Sequence, residues 1–153
     1  MTGTETLYGW FDNLQGYSIS KLKDKPYLWI LTKAQYQCVM DREHPLTYHH
    51  ADGRRFQTQP VFKTDMGSTP IIMRHLFPKD RYLVSYLFHD DAWRSGGLFV
   101  AEAGIDHFAF EVMSRTEANK LLRTMIKAEG GRRVATIIKV AVDLAALWRW
   151  IRG

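Results

Sequence analysis

Hydrophobic patterning divides the chain into an extended half followed by a helical half. Between residues 27 and 65, β-branched and aromatic residues occur in short runs separated by turn residues, which is typical of antiparallel strands. Asp52-Gly53 lies between two of these runs, and this dipeptide is among the strongest short signals for a β-hairpin. The pattern therefore predicts a small antiparallel sheet in the N-terminal half.

Apolar residues recur at helical spacing in three later segments. These segments lie near residues 81–94, 115–129 and 132–150. Ser114 and Glu117 form a capping-box pattern, which predicts the start of the second helix. Residues 98–112, with a turn near Gly104, are predicted to form another hairpin. Since strands come first and helices later, we expect an α+β fold in which the sheet packs on three or so helices.

The length of 153 residues fits one folded domain. Residues 1–26 show no sustained period and are predicted to form an irregular N-terminal arm, so that residues 27–153 form a single α+β domain. Cys38 is the only cysteine, which excludes an intramolecular disulfide and a multi-cysteine zinc site. Together with an N-terminus that lacks a secretory pattern, this favours a soluble protein in a reducing compartment.

The formal net charge of +5 raises the question of nucleic-acid binding. The basic residues occur in short, scattered groups without interleaved aromatic residues. These groups are Lys21-Lys23-Lys25, Arg54-Arg55 and Arg132-Arg133. A solvated surface is therefore favoured over a nucleic-acid interface.

The helix predicted near residues 81–94 carries the pair His89-Asp90. Ser85, Tyr86 and Trp93 lie three or four residues from His89, which predicts a half-buried aromatic face. Asp90 lies about 100° further around the helix, so both side chains can face one cleft. Such an imidazole can act as a general base, and the carboxylate can hold a hard cation. A core histidine bonded to a backbone carbonyl is an equally weighted alternative.

The segment from Asp65 to Pro70 interrupts the predicted sheet. Gly67 permits a tight backbone, and Ser68 and Thr69 add hydroxyl groups, so the loop can supply oxygen ligands or an anion-binding nest. It can equally be an Asx turn at the junction between sheet and helix, which is the more frequent case for such a loop alone.

Three stretches together resemble a phage-borne family known as domain of unknown function 1353. They are Thr64-Asp65-Met66-Gly67-Ser68-Thr69-Pro70, His89-Asp90-Asp91-Ala92-Trp93 and Ser114-Arg115-Thr116-Glu117-Ala118-Asn119. The family pattern is Thr-Asp-(Phe or Leu)-Ala-Ser-Val-Pro, then His-Asp-x-x-Tyr, then Ser-Arg-x-x-Ala-Asp. Order and spacing agree over roughly residues 55–150, and the resemblance implies a bacteriophage protein.

Two positions depart from this family pattern. Trp93 replaces the family tyrosine, and Asn119 replaces the family aspartate. Each change removes a hydroxyl group or a charge, so a family site that needs the second carboxylate would be weakened, differently tuned or inactive in this chain. Asp91 and Asp106 are the nearest candidates to substitute for that carboxylate.

The His-Asp-x-x-Tyr helix also resembles that of small calcium-dependent phospholipases, in which the histidine activates water and the aspartate binds calcium. This likeness makes His89 the base and Asp90 a catalytic residue and cation ligand. Asp65 supplies a further metal ligand, and Asn119 takes the place of the orienting carboxylate. Calcium, or another divalent cation, is the implied cofactor. The glycine-rich calcium loop and the disulfides of those enzymes are missing. The resemblance favours a metal-assisted hydrolase of an envelope ester or related bond.

Two further interpretations stay open. In metal-dependent phosphohydrolases a His-Asp dyad works with another histidine and aspartate, for which His75 and Asp143 are the candidates, but the predicted strands argue against those all-helical enzymes. Alternatively, the chain is a non-catalytic phage structural or accessory protein of the virion or tail, or one that contacts the host. We expect it in the host cytoplasm or, in this last interpretation, incorporated in the virion.

The last predicted helix has a broad apolar surface. Its apolar residues are Val134, Ile137, Ile138, Ala141, Leu144, Ala145 and Trp148. This surface is a candidate contact for a virion partner, for self-association or for a membrane surface, although most such helices cover their own core.

Overall fold

The computed structural model describes residues 7–22, 25–28, 31–33, 36–64 and 82–152. These residues form an α+β fold, with a small antiparallel sheet in the N-terminal half and three helices in the C-terminal half, as the order of the patterns predicts. The strands are β1 (Trp10–Asp12), β2 (Tyr17–Lys21), β3 (Lys25–Leu28), β4 (Leu31–Lys33), β5 (Tyr36–Met40), β6 (Thr47–His49), β7 (Arg55–Gln57), β8 (Val61–Thr64), β9 (Gly97–Ala101) and β10 (Ala109–Val112). The helices are α1 (Leu83–Ser95), α2 (Arg115–Ala128) and α3 (Arg132–Arg152).

The described strands pair antiparallel in three groups. A five-stranded sheet has the order β1-β6-β7-β9-β10, a three-stranded sheet has the order β2-β5-β8, and β3 pairs with β4. The β6–β7 hairpin turns at Gly53, whose φ of +95° suits glycine, and it places Tyr48 opposite Phe56. The β9–β10 hairpin turns near Gly104 (φ +78°). Both hairpins predicted from local turn residues are confirmed.

The N-terminal residues contain strands that the sequence pattern does not predict. β1 and β2 lie within residues 1–26. The hydrophobic residues of this segment follow no regular period, so its sequence pattern does not indicate strands. β1 pairs with the distant β6, and the ring of Trp10 stacks on that of His49 with a centroid separation of 3.9 Å. Pairing with distant strands thus overrides the weak local preference. The boundary at residue 26 stays a prediction.

Helix starts follow local chemistry where a cap is present. The Ser114 side chain accepts a hydrogen bond from the Glu117 N–H (3.1 Å), and the Glu117 carboxylate accepts one from the Ser114 N–H (3.3 Å). This is the predicted capping box of α2. α1 begins at Leu83 after Tyr82, which provides no side-chain cap.

Helix α1 lies between the strands and the other helices. Its buried Leu87 and Phe88 belong to the main core with Tyr48 and Phe56 of the sheet. A second core joins the three helices: Tyr82, Tyr86, Leu122, Ile126, Ala135 and Ile138 are all buried in it. Among the described residues, no helix is both long and apolar enough to cross a membrane. The fold therefore places His89 at the junction where α1 meets α2.

Candidate functional site

The site centres on the side chain of Asn119 in α2. His89 of α1 is 7% exposed, and its Nε2 lies 2.7 Å from Asn119 Oδ1. Trp93, one turn further along α1, donates from Nε1 to the same oxygen at 3.0 Å. Asn119 Nδ2 donates to Asp143 Oδ1 of α3 at 2.6 Å. One buried amide therefore connects all three helices.

These partners determine which way the Asn119 amide points. Trp93 Nε1 can only donate, so the atom that it contacts must be the amide oxygen. The Asp143 carboxylate accepts, so the amide nitrogen faces α3. His89 Nε2 then faces an acceptor and must carry a proton. In the neutral imidazole the lone pair is consequently on Nδ1.

Asp143 is held in its ionised form by its neighbours. Although partial burial acts to raise the pKa of this carboxyl, hydrogen bonds from Lys139 and Asn119 and the positive charge of Lys139 lower it below its usual range. Lys139 Nζ lies 2.6 Å from Asp143 Oδ2, one helical turn away. The network thus runs from His89 through Asn119 to an ion pair on α3.

The motif positions that depart from the family pattern are in direct contact. Trp93 and Asn119 share the hydrogen bond described above, and the ring of Trp93 lies against that of His89 with a centroid separation of 5.2 Å. Arg115, from the third motif, stacks its guanidinium over Trp93 at 4.9 Å. The second and third motifs therefore meet in space.

Asp90 lies on the part of α1 that faces the end of β8. Its Oδ2 accepts a hydrogen bond of 2.5 Å from Oγ1 of the fully buried Thr64. Thr64 directly precedes Asp65, which lies outside the described residues. The structure thus brings His89 and Asn119 together and places Asp90 next to His89 on α1. The convergence of Asp65 with them stays a prediction.

Of the two predicted cation ligands, Asp90 and Asp65, only Asp90 lies among the described residues. They contain no group of three His, Cys, Asp or Glu side chains arranged to hold a metal ion. Asp90 is partly exposed and has a hydroxyl group beside it, so its oxygens have the chemistry that calcium or magnesium prefers. The remaining oxygen ligand of the prediction, Asp65, belongs to the segment outside the described residues.

The carboxylate that reaches Asn119 differs from those that the sequence suggested as substitutes. Asp91 accepts from the backbone N–H of Gln59 at 2.9 Å, and Asp106 lies on the β9–β10 loop beside Arg55. The carboxylate bonded to Asn119 is that of Asp143, which the sequence offers only as the additional aspartate of the phosphohydrolase interpretation. The four-residue spacing of Lys139 and Asp143 predicts that these two side chains pair on one helix face. It does not indicate that Asp143 also contacts Asn119.

Two other carboxyl groups near α1 are strongly affected by burial. Burial raises the pKa of Asp91 to about 6, although hydrogen bonds from Gln59 and Ser95 oppose the shift. Burial likewise raises the pKa of Glu129 to about 7, opposed by hydrogen bonds from Ser85. Glu129 follows α2 and Ser85 lies in α1, so this pair also joins two helices.

The described residues also form a groove of about 380 Å³ between the β6–β7 turn, β10 and α2. Its lining includes Arg54, Phe56, Glu117 and Lys120 and does not include His89. The groove and the Asn119 network are therefore separate features of α2.

No protein-family model, curated protein or solved structure matches the chain. The resemblance to the phage-borne family stays a prediction from its three motifs.

Proposed function

We propose that the chain is a hydrolase of an ester, or a related bond, of the cell envelope, with His89 as its general base. The observation that carries the proposal is the 2.7 Å contact between His89 Nε2 and Asn119 Oδ1. A general base needs a lone pair at a fixed position, and this contact fixes the ring with its lone pair on Nδ1. The arrangement also matches the role that the phospholipase likeness gives to position 119.

The proposed chemistry is the activation of water. His89 Nδ1 removes a proton from the water while the water oxygen attacks the carbonyl carbon of the ester. The proton then passes from Nδ1 to the leaving alkoxide oxygen when the carbon–oxygen bond breaks. Throughout, His89 Nε2–H stays bonded to Asn119, and the ionised Asp143 behind this amide favours the transient positive charge on the ring.

Calcium or another divalent cation is the proposed cofactor, with Asp90 and Asp65 as its ligands. When bound there, the cation would polarise the carbonyl oxygen of the ester. The hydroxyl of Thr64 orients the Asp90 carboxylate from the side of β8. The proposed base, His89, thus faces α2, and the proposed cation ligand next to it, Asp90, faces β8.

A non-catalytic role in the phage particle or an accessory complex is the second candidate. It is favoured by the low exposure of His89, 7%, and by the way in which the Asn119 network joins three helices. In that case the motifs hold the helices together, and the site hydrolyses nothing.

The two candidates are separated by assays of the full chain with phosphatidylglycerol vesicles and with a chromogenic short-chain ester, each with and without calcium. His89→Gln should lower kcat by about 100-fold or more, because it removes the base and keeps a donor toward Asn119. The matched control is His107→Gln, which changes an exposed loop histidine and should leave kcat unchanged. Absence of hydrolysis by the wild type would favour the non-catalytic role.

Thermal melting tests the cation separately. At about a hundredfold excess over its Kd, calcium should stabilise the wild type and His89→Gln by about 2.7 kcal/mol. Asp90→Asn should remove this stabilisation. If calcium, magnesium, manganese and zinc all leave the Tm of the wild type unchanged, the cation has no place in the mechanism.

A further inference from the structure

The outer side of α3 carries a stripe of exposed aliphatic side chains. Its members are Ile137, Val140, Leu144 and Leu147, each between 49% and 59% exposed. Their spacing of three, four and three residues places them along one side of the helix. The opposite side is buried against α2 through Ala135 and Ile138. Among the residues that the structure describes, the helix is therefore apolar on two opposite sides, and only the side against α2 is covered.

The excess positive charge of the chain is concentrated in the same unit. Residues 115–152, which span α2 and α3, contain nine Lys or Arg residues and three Asp or Glu residues, a formal net charge of +6. The rest of the chain contains 12 basic and 13 acidic residues, a net charge of −1. The aliphatic stripe thus lies on the only strongly basic part of the sequence.

The positive charge and the apolar stripe together favour an anionic lipid surface over a second copy of the chain as the partner that covers the stripe. A second copy of the chain would bring two units of charge +6 against each other, and such like-charge contact opposes association. An anionic lipid surface attracts the basic residues and accepts aliphatic side chains below its headgroups. Both properties of the helix pair are then satisfied by one partner.

We propose that the outer side of α3 docks on membranes that contain anionic phospholipid. Because its other side packs on α2, the helix would lie parallel to the membrane surface. The stripe enters the boundary between headgroups and acyl chains. Exposed Arg133, which lies on the same side one turn before Ile137, extends its guanidinium toward the phosphates. This docking does not depend on the proposed hydrolysis.

Vesicle flotation of the full chain tests the proposal. Wild-type protein should partition roughly tenfold more strongly onto phosphatidylcholine vesicles with about one third phosphatidylglycerol than onto pure phosphatidylcholine, and high salt should weaken this binding. Leu144→Gln with Leu147→Gln should lower the partition coefficient roughly tenfold. The matched control, Val112→Gln, changes an aliphatic residue of β10 that is 80% exposed and should bind like the wild type.

Three results would overturn the proposal: equal binding to neutral and anionic vesicles, unchanged binding by the double variant, or no binding at all. Light scattering without vesicles adds a further check. A dimer that the double variant dissociates would show that a second copy covers the stripe instead. Because the substituted side chains are at least half exposed, unchanged melting of both variants should accompany every outcome.

Discussion

At the scale of single residues, Asn119 places an acceptor against Nε2 of His89. Its amide oxygen receives the Trp93 N–H and lies 2.7 Å from His89 Nε2, and its amide nitrogen is committed to Asp143. A carboxylate in this place would present two acceptors, whereas the amide presents one acceptor and one donor. The asparagine therefore links histidine and aspartate in one directed chain of hydrogen bonds.

This geometry predicts the tautomer of His89. In the neutral ring the proton should be on Nε2, because Asn119 offers an acceptor there. Two-bond ¹⁵N–¹H correlation spectra of the full chain measure this directly, with His107→Gln used to assign the exposed loop histidine. Asn119→Leu removes the acceptor and should lower the Nε2–H population. A wild-type ring that is mainly protonated on Nδ1 would contradict the proposed role of Nδ1 as the base.

At the scale of elements, the start of α2 depends on the capping box. Ser114→Ala removes the side chain that accepts from the Glu117 N–H and should cost about 1 kcal/mol of stability. Urea unfolding measures this loss. Thr116→Ala changes an exposed residue within the same first turn and serves as the control. Equal stability of the two variants would show that the cap contributes nothing.

Elements with a local signal could be predicted, and those that depend on distant partners could not. The turn at Gly53 and the cap at Ser114 are formed by residues that are adjacent in sequence, so their patterns are sufficient. β1 has three residues and is a strand because β6 lies beside it. Its local pattern contains no information about that partner.

At the scale of the whole molecule, the α+β class follows from the order of the patterns, whereas the assembly of the site follows from helix packing. The motif resemblance suggested His89 and Asn119 as one site, and the structure places them in contact. Asp143 joins them only because α3 packs beside α2. No local pattern encodes that packing, so the sequence could not assign Asp143 to this network.

Global stability should depend on pH through Glu129. Burial raises the pKa of Glu129 to about 7, above its ordinary value, so the folded state favours the protonated carboxyl. This contribution is fully present below the unfolded pKa and is lost as the pH rises through about 7. Glu129→Gln is neutral throughout and should therefore gain about 2 kcal/mol relative to the wild type between about pH 4 and pH 8, with allowance for partial exposure.

Urea unfolding of both proteins at the two pH values measures the difference. Other titrating groups, including Asp91, are common to both proteins and cancel from the comparison. A free-energy difference that stays constant with pH would show that the pKa of Glu129 is the same in the folded and the unfolded protein, so that burial does not raise it.

The hydrogen bond between Asn119 and Asp143 also constrains how the chain can evolve. The amide nitrogen lies 2.6 Å from the carboxylate, so an aspartate at position 119 would set two acidic oxygens against each other unless one took up a proton. An exchange of the amide for an acid is therefore expected to accompany the loss of the acid on α3, unless the two acids share a proton. Positions 119 and 143 should be inherited as a pair, and the tryptophan at 93, which donates to the same amide, should change with them.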